Sequence, residues 1–95
     1  MTSLIEKLRK SIDELDEEIL NLLSKRKGLA REVGKLKEKL GLPVFDKKRE
    51  QEILDKLSKK ARQFGLDIDS VSNIFSHILQ SSRRDQQKQK PKINC

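Results

Sequence analysis

Neither tryptophan nor tyrosine occurs in this chain of 95 residues, and phenylalanine occurs only three times. Glycine (four) and proline (two) are also scarce. Sandwiches and barrels need β-branched and aromatic strands separated by glycine- and proline-rich turns, so the composition argues against an all-β fold. One cysteine, Cys95, and one histidine, His77, are present. A lone cysteine makes neither an internal disulfide nor a zinc site, and one histidine adds too little for a metal enzyme built on Cys and His ligands. No uncharged run approaches the length that spans a bilayer. The opening residues, Met1-Thr2-Ser3-Leu4-Ile5-Glu6-Lys7, lack the apolar core of a secretory signal. A cytoplasmic protein with no membrane segment is expected. Phosphate loops, dinucleotide fingerprints and paired-carboxylate motifs are missing too.

What is present is charge. Charged residues make up 39% of the chain, and 22 Lys and Arg against 15 Asp and Glu leave a net +7. An acidic section (Asp13, Glu14, Asp16, Glu17, Glu18) precedes a basic one over residues 25–49, where only Glu32, Glu38 and Asp46 oppose the cations. A basic tail follows, with Arg83, Arg84, Lys88, Lys90 and Lys92 against Asp85. Such sections suit an anionic partner, either a nucleic acid or a small polyanion.

Apolar residues recur at Ile5, Leu8, Ile12, Leu15, Ile19 and Leu22, then at Leu29, Val33, Leu36 and Leu40, in steps of three and four but for one step of seven across position 26. That is a helical stripe, interrupted by no proline and stopped by Gly41-Leu42-Pro43. Gly28 and Gly34 each weaken the helix by about 1 kcal/mol relative to alanine. A helix over about residues 4–40 is roughly 55 Å long, whereas a compact chain of this size has a radius of gyration near ~12–13 Å. Its stripe therefore needs a second chain, and an intertwined homodimer with the long helices packed antiparallel is expected. Asp46 caps a second helix over about residues 46–64, with Ile53, Leu54, Leu57, Ala61 and Phe64 on its apolar face and Gly65 at its stop. Asp67 or Asp69 caps a third over about 68–87, facing inward through Val71, Ile74, Phe75, Ile78 and Leu79. The fold class is all-α, with one domain over residues 1–87 and a basic tail over 88–95 that reads as disordered.

The residues that break this pattern are the informative ones. Arg26 occupies a stripe position between Leu22 and Leu29. A guanidinium there must meet an anion or snorkel to water. Lys37 lies about 20° from the same line and roughly 16 Å further along. Arg9 is roughly 25 Å from Arg26 along a straight helix, so it could serve only a partner chain's site; alone it reads as a surface arginine. Arg49 and Glu50 fall on the inward side of the second helix's first turn, where a capping turn with a surface ion pair is the plain alternative. Ser82 and Gln86 continue the inward face of the third helix, as would a helix end emerging into water. His77 is five residues from Ser82, a poor spacing for one face, and no catalytic part is expected of it. Together these side chains would line a mostly cationic pocket with no good nucleophile. It suits a small dianion whose reaction needs positioning and electrostatics.

The runs Leu8-Arg9-Lys10-Ser11-Ile12-Asp13-Glu14-Leu15-Asp16, Leu22-Leu23-Ser24-Lys25-Arg26, Leu29 to Lys37, Pro43 to Glu50, and Ile74-Phe75 through Ser82 to Gln86 resemble the all-helical chorismate mutase family. The likeness covers about residues 4–87. The series Arg9, Arg26, Lys37, Asp46, Arg49, Glu50, Ser82, Gln86 in register is its specific part. It implies three helices per chain, a homodimer with two shared sites, no cofactor, and the Claisen rearrangement of chorismate to prephenate on the way to phenylalanine and tyrosine. It also implies roles. Arg26 and the partner's Arg9 clamp the carboxylates, Lys37 and Gln86 donate to the ether oxygen, and Glu50, with the Asp46 backbone, accepts from the ring hydroxyl. Arg49 and Ser82 help hold substrate. No attached dehydrogenase, dehydratase or synthase domain is visible, so a monofunctional enzyme is expected.

Three alternatives are weighed against this. An isochorismate pyruvate-lyase of similar fold would use a similar clamp. A non-enzymatic basic helical module would bind nucleic acid through residues 25–49 and the tail, but the chain has few aromatics and no recognition motif. A purely structural coiled coil leaves the polar series without a reason.

Overall fold

The computed structural model describes residues 2–87. The expected tail over 88–95 lies outside the described residues. Three helices follow one another: α1 (Thr2–Leu40), α2 (Lys47–Gln63) and α3 (Ile68–Gln87). Among the described residues there is no strand, and no helix is long and apolar enough to cross a membrane.

Local chemistry sets the helix ends where the sequence places them. Gly41 adopts φ 69°, the left-handed conformation that costs glycine little. The amide of Gly41 then bonds the Glu38 carbonyl at 3.3 Å and that of Leu42 the Lys37 carbonyl at 2.8 Å, closing α1 in a Schellman turn. Gly65, also at φ 69°, ends α2 the same way, with Leu66 bonded to Ala61 at 2.9 Å. At the start of α2 the Asp46 carboxylate accepts from the Arg49 amide at 3.0 Å. At the start of α3 the Asp67 carboxylate accepts from the Ser70 hydroxyl at 2.7 Å and the Ser70 amide at 3.0 Å. Those two bonds, the hydroxyl's foremost, hold the Asp67 carboxyl below the usual carboxylate range.

The third helix packs against both others, while α1 and α2 do not pack on each other. Ala30, Ala61 and Leu79 are the buried apolar side chains. Gly34 is buried with them at the crossing of α1 and α3. A Cβ at Gly34 would lie 2.6 Å from the Gln86 carbonyl oxygen and 2.7 Å from its Cα. The glycine that weakens α1 by propensity is thus what lets α3 approach. Asp85 is buried on the same side, 3.8 Å from the Lys27 ammonium.

The described chain is elongated, 58 × 32 × 19 Å with a radius of gyration of 17.3 Å. A straight α-helix of 39 residues accounts for the long dimension. Along the N-terminal two-thirds of α1 the apolar stripe stays uncovered. Ile5, Leu8, Ile12, Leu15, Ile19 and Leu22 are between 48% and 61% exposed.

Candidate active site

A cavity of about 310 Å³ lies where the C-terminal half of α1, the start of α2 and the end of α3 converge, within the range of small-molecule clefts. Arg26, Lys37, Asp46, Arg49, Glu50, Ser82 and Gln86 all line it, among the apolar side chains of Leu29, Ala30, Val33, Val44, Ile53 and Leu79. Three helices that share no local sequence thus bring together all but one of the singled-out residues. The exception is Arg9, which is exposed near the other end of α1.

The Lys37 ammonium is the best-anchored group. It donates to the Val44 carbonyl at 2.8 Å and to the Gln86 side-chain oxygen at 2.8 Å. An ammonium has three N–H donors and no acceptor, so the oxygen of the Gln86 amide must face it. One ammonium N–H and the whole Gln86 NH2 group are left to donate elsewhere. The Val44 bond also ties the α1–α2 connector to α1. Arg26 is half-buried and makes no hydrogen bond or ion pair among the described residues. Its charge therefore has no protein anion beside it among the described residues, and it borders the cavity.

Arg49 and Glu50 do not form the surface pair that a simple capping turn suggests. Arg49 pairs loosely with Glu52 at 3.9 Å, and Glu50 pairs with Arg83, whose Nη1 lies 2.5 and 2.6 Å from its two carboxylate oxygens. The Arg83 guanidinium also stacks 5.2 Å from the Phe45 ring centroid. Neither Arg83 nor Phe45 stands out in the sequence. Arg83 is one residue from Ser82, a turn of about 100° off the inward line, and only the placement of α2 gives it an anion.

The cavity is open along α1, since its lining residues Leu29 and Val33 remain 68% and 44% exposed. Beside it, between α1 and α3, lies a second hollow of about 440 Å³, lined by residues that include Leu20, Leu23, Lys27, Ala30, Ile78 and Asp85. His77 is exposed at its rim.

The pattern of chorismate mutase type II matches residues 8–87. The chain belongs to the chorismate mutase type II family. It is 36% identical to the chorismate mutase of Methanocaldococcus jannaschii, over 84% of each protein. It is 39% identical to the bifunctional chorismate mutase/prephenate dehydratase of Escherichia coli, over 84% of this chain but 21% of that longer one. Its fold is similar to that of chorismate mutase from Thermus thermophilus, with a TM-score of 0.84 at 36% identity, over 92% of this chain and 98% of the other. The described chain is all-helical, as the spacing of apolar residues predicts. In this chorismate mutase family member, both the match and the cavity span all three helices.

Proposed function

We propose that the protein is a chorismate mutase that converts chorismate to prephenate, in the cytoplasm, as a homodimer with shared sites and without a cofactor. What supports the reading is one cavity that Arg26, Lys37 and Gln86 all line, each with donors left over among the described residues. In the reaction one C–O bond breaks as a C–C bond forms within the same molecule. No nucleophile, redox partner or leaving-group carrier is required, and the cavity offers donors and shape.

Chorismate carries two carboxylates. Arg26 takes one by a forked pair of hydrogen bonds, and the partner's Arg9 takes the other. Lys37 and the Gln86 amide donate to the ether oxygen, where negative charge builds as the bond to the ring lengthens. Glu50 and the Asp46 backbone receive the ring hydroxyl, and Arg49 and Ser82 complete the wall. A million-fold acceleration needs about 8 kcal/mol. A donor preset at a developing oxyanion is worth ~3–4 kcal/mol by deletion, so two donors plus a clamp that enforces the compact conformer reach that figure.

The dimer has its own support. Six half-exposed Ile and Leu side chains on α1 each stand to gain about half of the ~1.5–3 kcal/mol that full burial brings. If α1 pairs antiparallel so that the partner's Arg9 is level with Arg26, the two-fold axis falls near residues 17–18. The partner's Ile5, the partner's Leu8 and the partner's Ile12 then come level with Ala30, Lys27 and Leu23, residues that line the second hollow. One register thus delivers an arginine to the open side of the cavity and fills the groove beside it.

The test follows chorismate by its absorbance. Wild-type protein should consume it far above the uncatalysed rate, and Arg9→Ala and Arg26→Ala should each be nearly inactive. Mixed after unfolding and refolding, the two variants should regain activity through hybrid dimers with one intact site. No consumption by the wild type refutes the activity. No recovery in demonstrated hybrids refutes the shared site.

A further inference from the structure

Asp46 and Glu50 are the two anions lining the cavity, and Glu50 is the one gripped by a guanidinium. It is an anion beside a place proposed to receive a dianion, and it is held by a residue outside the lining. The Arg83 Nη1 straddles both of its carboxylate oxygens, at 2.5 and 2.6 Å. The pair is partly shielded, with side-chain exposures of 32% for Arg83 and 21% for Glu50. The guanidinium is in turn steadied over Phe45. The chain Phe45–Arg83–Glu50 joins the α1–α2 connector, α3 and α2, and points at the cavity wall. A partly exposed ion pair contributes little to folding stability, so its worth must be sought in what it does to Glu50. A free glutamate side chain has three rotatable bonds to order and a full charge to present. A carboxylate gripped along one edge has its remaining lone pairs aimed outward and its charge balanced.

We infer that Arg83 is a positioning residue that aims the Glu50 carboxylate at the cavity and cancels its charge, so that a dianionic ligand meets a directed acceptor and not a repelling anion. This rests on the reading of Glu50 as the acceptor of the substrate's ring hydroxyl. Arg83 acts through Glu50 and does not touch the substrate itself.

The experiment is a double-mutant cycle with chorismate as substrate. Arg83→Met keeps the methylene stem, Arg83→Lys keeps the charge, Glu50→Gln removes the anion, and the fourth protein combines Arg83→Met with Glu50→Gln. Thermal melts accompany each. Arg83→Met should raise KM by at least roughly tenfold, since one like charge about 10 Å from a single substrate carboxylate at an effective dielectric near 20 already has that effect and the second carboxylate adds to it. Its kcat should fall less, and its melting temperature should stay close to that of the wild type. Arg83→Lys should recover part of the loss. In the Glu50→Gln background the same methionine should cost less than about twofold, because the group it acts through is gone. Arg83→Met with unchanged KM, or losses that multiply in the double variant, overturn the inference while leaving the activity standing. A loss that tracks a falling melting temperature and is not relieved by lysine marks a packing role and overturns it equally. An inactive wild type overturns the reading of the site and this inference with it.

Discussion

Gly34→Ala separates what the α1–α3 crossing does for stability from what it does for the site. The added Cβ meets the Gln86 carbonyl oxygen at 2.6 Å and its Cα at 2.7 Å. Both are backbone atoms, so no side-chain rotation relieves the clash. Ordinary contact near ~3.5 Å requires α3 to retreat by about 1 Å. Overpacking of this kind costs ~1–3 kcal/mol, and alanine's better helix propensity returns about 1 kcal/mol, so the net loss lies between nothing and about 2 kcal/mol. The site is more exposed to the change. The clash is at Gln86, whose side chain sits 2.8 Å from Lys37, and a displacement of about 1 Å in a catalytic group can cost on the order of a hundredfold. Gly28→Ala is the control, since its Cβ would meet nothing within 4 Å. That variant should gain up to about 1 kcal/mol at unchanged activity. Chorismate consumption and melting by far-ultraviolet circular dichroism measure both quantities. Wild-type kcat in Gly34→Ala, or two alanine variants that behave alike, would refute the reasoning.

Two further outcomes follow from the same geometry. Gln86→Glu places a carboxylate against Lys37 with no N–H to offer, so activity should be low near neutral pH and rise on acidification as the carboxyl gains a proton, while the wild type stays flat over that range; matching profiles would contradict the donor role. Asp67 has its carboxyl pKa lowered by the Ser70 bonds, so the folded state favours the ionised form, and the stability this brings is present above the unfolded carboxylate's pKa and lost as pH falls through the folded one. The melting-temperature gap between wild type and Asp67→Asn should therefore be open at neutral pH and close in acid, and a gap that held constant or widened there would count against the cap.

The helices were legible because their signals are local. The three–four stripe of α1, the glycines at 41 and 65, and the caps each work within one turn of chain; the structure makes α1 a helix to Leu40, stops α1 and α2 at Gly41 and Gly65, caps α2 with Asp46, and of the two candidates Asp67 and Asp69 uses Asp67 to cap α3. The cavity residues were legible for a different reason: Arg26, Ser82 and Gln86 stand where apolar residues would otherwise stand, and a polar side chain at an inward phase needs a use. Arg83 and Phe45 carried no such mark. Their roles depend on the angle at which α2 meets α3, and that angle is set by packing across chain-distant residues. Gly34 was visible only as a weak point of α1. Its use depends on an atom of Gln86 brought up from 52 positions away in sequence, a distance at which periodicity is silent.

The balance of donors and acceptors around the cavity argues for a dianion more strongly than net charge does. Lys37 satisfies two N–H groups on Val44 and Gln86 and keeps one. Gln86 commits its oxygen to that contact and keeps both amide hydrogens. Arg26 commits none of its donors among the described residues. The two carboxylates, by contrast, are each engaged in part, since one Asp46 oxygen holds the Arg49 amide and Glu50 is gripped along one edge by Arg83. A surplus of donors beside partly engaged carboxylates calls for a ligand rich in oxygen acceptors and poor in donors. Nucleic acid would meet that need too, but it needs an extended basic surface, and this surplus converges inside about 310 Å³. A small molecule with two carboxylates, an ether oxygen and a single hydroxyl would meet the surplus with its acceptors, and on the proposed reading its hydroxyl would donate a hydrogen bond to Glu50.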